Sequence, residues 1–195
     1  MLNSVSYMRP FTTFLLLPLL FALILSGCER HKEVGIDKDS PQFDMQDSNK
    51  LFFRNMRQSY YDLEEMKAAK MEVFRISERD TSGRAPVLQV KIVQHWSQDK
   101  AYAMIEPHAL FEGMDTLKVS WADTASNTQG QYIFPVAAPQ PVHYRFASEI
   151  YSSIQAGHQL KIELPKGPQP LFPTSDSREP FRKTMVDFYR LVSVL

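Results

Sequence analysis

The sequence predicts an α+β fold: an antiparallel β-sheet or sandwich-like core carrying one or two packed helices, at about 144–156 and 178–192. Three observations lead there. Short runs alternate apolar and polar residues at the strand period, most clearly at 87–96, 101–106 and 116–121. Two late stretches instead repeat apolar residues at helical spacing. Thirteen prolines against seven glycines suit a loop-rich, mainly β domain with stiffened connections, and 44% hydrophobic content is enough for a real core.

The chain opens on a segment unlike the rest. Arg9 is the only charge before Cys28, Phe11 to Leu25 is almost wholly apolar, and the small residues Ser26 and Gly27 precede the cysteine. Charge, apolar core and small residues come in the order of a secretory signal. The apolar core, about 15 residues, falls short of the ~20 a spanning helix needs, and Pro18 would cost such a helix a hydrogen bond. Leu25, Ser26, Gly27 and Cys28 together resemble the lipobox of bacterial lipoproteins. The resemblance implies that the Cys28 thiol receives a diacylglyceryl group, that signal peptidase II removes residues 1–27, and that the new amino group is acylated as well. The lipid on Cys28 would then hold the chain on a membrane of the cell envelope, two or three acyl chains being enough for stable anchoring. Glu29, where an aspartate would favour inner-membrane retention, resembles the pattern sent to the outer membrane. Cys28 is the only cysteine, so the anchored chain has no thiol left to oxidise.

Without residues 1–27 the chain keeps 195 − 27 = 168 residues, which suits one domain and a tether. Residues 28–49 are polar, mixed in charge and without apolar period, and read as the tether. Residues 50–195 form the domain. Leu51–Tyr61 is the densest aromatic run and is assigned to a strand, although Phe52, Met56, Tyr60 and Leu63 also fit a helix. Asp62–Ala69 favours a helical or turn connection by propensity, and Met71–Ser77 a second strand. Glu78–Pro86 is a turn. Leu88, Val90, Ile92 and Trp96 share one face of the next strand, and Ser97–Lys100 turns the chain back into Ala101–Glu106. Thr116–Trp121 points Leu117, Val119 and Trp121 inward. Ala122–Gly130 reads as a loop and Gln131–Val136 as a strand.

Tyr144–Ala156 reads as a helix ending at Gly157, followed by a strand at Leu160–Leu164. The four prolines of 165–175 suggest an extended surface segment. Asp176 or Ser177 then caps a last helix whose apolar stripe is Phe181, Met185, Phe188, Tyr189 and Val192.

Several function classes are disfavoured. The 22 basic and 22 acidic residues become 21 and 22 once Arg9 is removed, too balanced for a nucleic-acid partner. No Walker loop, GxSxG, GxGxxG after a strand, or CxxC is present. His31 among Glu29, Glu33, Asp37 and Asp39 reads as a solvated linker, and His108 near Glu106 and Glu112 lacks paired-His spacing, so neither a metal nor a cofactor is expected. The expectation is a non-catalytic binding or accessory domain with an envelope protein as partner. Its predicted contact surface is Phe52, Phe53, Arg54, Arg57, Tyr60 and Tyr61, because aromatics and arginine dominate contact energies. The alternatives are an envelope hydrolase assembled from distant loops around His108 or His143, and a structural component of envelope assembly.

Overall fold

The computed structural model describes residues 36–195. The apolar leader, the lipobox with Cys28, and Glu29, His31 and Glu33 lie outside the described residues, whereas Asp37 and Asp39 lie within them. In chain order the elements are α1 (Asp47–Phe52), β1 (Tyr61–Met66), β2 (Met71–Ile76), β3 (Gln89–His95), β4 (Lys100–Glu106), β5 (Thr116–Asp123), β6 (Thr128–Pro135), α2 (Gln140–Gln155), β7 (Gln159–Leu164), β8 (Gly167–Pro170) and α3 (Ser175–Leu191). They form two antiparallel four-stranded sheets, ordered β1-β2-β3-β4 and β6-β5-β7-β8, with the helices packed on them. This is the α+β class with a sheet core that the sequence predicts.

Alternation places the inner face of the first sheet. Across β1 to β4 one row runs Leu63, Phe74, Ile92, Ala103, and the row beside it Glu65, Glu72, Gln94, Ala101. Phe74, Ile92 and Ala103 are buried, with Phe181, Met185 and Phe188 of α3 in the same core. In the second sheet Leu117, Val119, Phe134 and Ile162 face inward. Phe134 stacks on Phe146 of α2 at 4.8 Å between ring centroids. Tyr189 of α3 donates to Ser148 of α2 at 2.9 Å and sits edge-on to Tyr151, so the two helices share one core.

Two of the four sheet edges are blocked, in different ways. At the outer edge of β4, Ala101 N–H donates to Phe43 O at 2.8 Å and Met45 N–H to Asp99 O at 2.8 Å. Further along, Ile105 N–H donates to Nδ1 of His143 at 3.0 Å. β8 carries Pro168 and Pro170, which have no N–H to offer a further strand. Such devices keep an edge from pairing with other chains.

Several expectations are corrected. Leu51–Tyr61 is not a strand: α1 continues through a π turn at Phe53–Arg57 and a 3₁₀ turn at Gln58–Tyr60. Asp62–Ala69 is not a helix, since Tyr61–Met66 pairs with β2 along its whole length and only Lys67–Ala69 is a 3₁₀ turn. Pairing with β2 and the anchoring of Tyr61 override the helix propensity of Asp-Leu-Glu-Glu-Met. Within the stretch expected as tether, Phe43 and Met45 dock on β4, and Met45 is buried.

Trp96 lies past the end of β3 and is 52% exposed, so it does not share the inner face of Leu88, Val90 and Ile92. The expected loop at 122–130 narrows to 124–127, where Asp123 accepts from Ala125 N–H and Ser126 Oγ. Within 165–175 the chain forms β8 and buries Leu171 and Phe172. Thr174, not Asp176 or Ser177, caps α3: its hydroxyl accepts from Ser177 N–H, while Ser177 Oγ accepts from Thr174 N–H.

Candidate binding surface

The predicted contact residues fall at the junction of α1, its π turn and β1, and the structure divides them. Phe53 is 3% exposed, edge-on to Phe74 at 5.1 Å and 5.5 Å from Tyr61. Tyr61 is also buried. Both therefore belong to the core and leave the predicted surface. The π turn swings Phe53 toward the sheet and Arg57 toward α3, an irregularity of the kind often retained at functional sites.

Arg57 is held by a structural partner. Its Nε donates to both carboxylate oxygens of Asp187 at 2.9 Å, and the Tyr61 hydroxyl donates to Asp187 Oδ2 at 2.8 Å. Asp187 is 2% exposed, so this carboxylate depends on those donors. Burial, and then the Asp187 charge, push the Tyr61 phenol well above its ordinary pKa. The Arg57 guanidinium also lies over the Tyr60 ring at 4.6 Å. Arg57 and Tyr61 thus join α1, β1 and α3 instead of facing a ligand.

Phe52, Arg54 and Tyr60 do face solvent. They do so in company that sequence reasoning missed. Seven of the ten strongly exposed large hydrophobic side chains among the described residues are Leu51, Phe52, Met56, Tyr60, Leu63, Met66 and Trp96. Phe52, Met56, Tyr60 and Leu63 were the helical stripe that competed with the strand assignment. Helical turns form as far as Tyr60, Leu63 lies in β1, and all four side chains are exposed.

Two grooves run through this region. One, of about 280 Å³, has Leu51 and Trp96 on its walls and Phe74 and Gln94 among its lining. The other, of about 570 Å³, lies along Leu63 and Glu65 of β1. Arg54, Gln58 and Glu72 line both. Among the described residues, the side chains of Arg54, Glu72 and Gln94 make no hydrogen bond or ion pair, and Gln94 is only 7% exposed. Acids on the opposite face of the same sheet are engaged. Glu64 pairs with Arg75 at 2.7 Å, and Glu106 with Arg75 at 2.8 Å and Lys91 at 3.0 Å. Burial pushes the Glu106 carboxyl up, but those two cations outweigh it and hold it below its ordinary value.

A third cleft, of about 250 Å³, lies between the start of β3 and the first turn of α3. Its polar groups are satisfied locally: Arg79 by Asp62, Glu78 by Lys183, and Thr174 and Ser177 by each other.

Among the described residues, His143 is held structurally. His143 is buried edge-on to Phe134 at 4.7 Å, and its Nδ1 already accepts the Ile105 N–H. Burial holds its pKa below the ordinary value against the opposing bond to the Ala138 backbone. His108 Nδ1 is buried without a hydrogen-bond partner, beside Phe111. One histidine–serine pair was not anticipated: His158 Nδ1 lies 3.2 Å from Ser153 Oγ. Ser153 is 1% exposed, bonded to the Tyr132 hydroxyl at 2.9 Å, and Trp121 stacks on His158 at 4.7 Å, leaving no approach for a substrate. Among the described residues, no three His, Cys, Asp or Glu side chains are grouped to hold a metal ion, and no helix is long and apolar enough to cross a membrane.

No protein-family model, curated protein or solved structure matches this chain.

Proposed function

We propose that this chain is a lipid-anchored binding module of the bacterial cell envelope. Cys28 carries the lipid, the outer membrane holds it, and the surface beside α1 and β1 meets a protein partner. The observation that carries the binding role is a run of exposed apolar side chains: Leu51, Leu63 and Trp96 line grooves holding uncommitted polar groups, and Phe52, Met56 and Tyr60 are exposed on the adjoining helical turns. Exposed apolar side chains gathered at one place mark interaction sites, whereas scattered ones need no explanation. The aromatics and Arg54 are of the types that anchor interfaces. The anchor is supported by the leader and the lipobox-like Leu25 to Cys28.

Two measurements on the protein from its native envelope test the proposal. Intact mass spectrometry should find a chain starting at Cys28 and carrying diacylglyceryl and acyl mass; Met1 still attached, or Cys28 unmodified, would overturn the anchor. Chemical crosslinking in the envelope should join the chain to a partner through the α1–β1 region. A Phe52→Ser, Tyr60→Ser, Trp96→Ser variant should lose that crosslink while keeping its fold. An unchanged crosslink would overturn the surface.

A further inference from the structure

The free edge of β1 gives the proposed surface a specific mode of recognition. Ser77 N–H donates to Tyr60 O at 2.9 Å, which sets the phase of the β1–β2 ladder. Asp62, Glu64 and Met66 then bond to β2, while Leu63 and Glu65 turn their main-chain N–H and C=O groups outward. No main-chain bond from another described segment meets them. The edge of β4 is capped and that of β8 lacks donors; β1 and β6 keep outward donors and acceptors, and β1 is the one that borders the two grooves and their uncommitted side chains.

The side chains beside this edge say what would be added. Glu65 lies directly opposite Glu72, and Gln94 continues the same row on β3. Like charges opposed across two strands are unfavourable. Lys67 meets Glu65 only at 3.3 Å from an exposed position, and the side chains of Glu72 and Gln94 make no hydrogen bond or ion pair among the described residues. A cation set into this row from a neighbouring strand would relieve the repulsion. On the same face, two residues along the strand, Leu63 offers an apolar contact.

We infer that β1 accepts an extended, basic segment of the partner protein as a fifth strand, one apolar side chain of it on Leu63 and one Lys or Arg against Glu65 and Glu72. A second copy of this chain fits less well. Antiparallel pairing of β1 with itself about Leu63 sets Asp62 against Glu64, and about Glu65 sets that acid against its own copy. The inference rests on the binding reading above and is independent of the lipid anchor.

The test uses the full chain in detergent and a short synthetic peptide of alternating threonine and valine, with lysine at one valine position. Fluorescence anisotropy should show saturable, salt-sensitive binding. Exchanging that lysine for glutamate should weaken it about tenfold or more, and N-methylation of alternate peptide amides should abolish it. Hydrogen exchange should slow at Leu63 and Glu65. Glu72→Gln should weaken binding several-fold without changing the fold. Leu63→Pro, which removes an outward N–H and no ladder bond, should abolish binding. Equal binding of the glutamate peptide, or unaltered exchange at Leu63 and Glu65, would overturn the inference. So would a dimer in sedimentation that protects β1 without peptide. An unlipidated Cys28 with intact peptide binding would count against the anchor alone.

Discussion

The joint between α1, β1 and α3 depends on one buried carboxylate, and replacing Arg57 by methionine tests how much. Methionine keeps most of the apolar stem and removes the guanidinium, leaving Asp187 with the Tyr61 hydroxyl as donor. Breaking a buried ion pair from one side costs about 3–5 kcal/mol. The Arg57 side chain is 23% exposed and meets Asp187 through a single N–H, so the low end of that range applies, about 3 kcal/mol. Loss of the contact over Tyr60 adds roughly 0.5 kcal/mol. The described domain has 195 − 35 = 160 residues, and at that size each kcal/mol moves Tm by about 2–4 °C, giving a fall of roughly 7–14 °C in a far-UV melt. Arg57→Met with Asp187→Asn should recover much of this, because a neutral amide needs no counter-charge and can still accept from Tyr61. A single variant that loses under about 1 kcal/mol, or a double variant no more stable than the single one, would refute a charge-driven joint.

Three further outcomes follow from the same contacts. Burial keeps the folded His143 pKa below its unfolded value, so the unfolded chain takes up the proton first. Its contribution is present above about pH 6.5 and is lost as pH falls, by at most about 1.4 kcal/mol per unit, and His143→Gln should flatten that limb in urea melts. Burial raises the phenols of Tyr61 and Tyr189, so their contribution holds below about pH 10 and declines above it. Tyr61→Phe and Tyr189→Phe should each reduce the alkaline slope by about 1.4 kcal/mol per unit; a wild-type chain with no alkaline slope would contradict this burial. A Cβ at Gly130 would lie 2.7 Å from Trp121 Nε1, with the indole already stacked on His158 and Tyr132. Gly130→Ala should therefore cost about 1–3 kcal/mol in urea and shift Trp121 emission, and a neutral outcome would show that the indole moves freely.

The surface beside β1 was partly legible in advance, and the division has a physical basis. Phe52, Arg54 and Tyr60 were identified as surface by residue type alone, a property each carries by itself. Phe53 and Tyr61 were misplaced because their neighbours decide their burial: Phe74 lies on the next strand and Asp187 is 126 positions from Tyr61. Trp96 was misplaced because β3 stops at His95, where its pairing partner β4 begins at Lys100. The row of Glu65, Glu72 and Gln94 had no trace in the linear order, since three strands must align before those side chains meet.

Elements governed by local periodicity were determined by the chain itself. The alternation in β3, β4 and β5 and the stripes of α2 and α3 match the faces they bury, because burying one face of a regular element depends on spacing along a few turns or pleats. Where local preference was divided, between Leu51 and Ala69, only tertiary contact decided. Sheet pairing along β1 and a buried carboxylate on α3 outweighed the fraction of a kcal/mol per residue that propensity contributes, and so settled which segment coils and which extends.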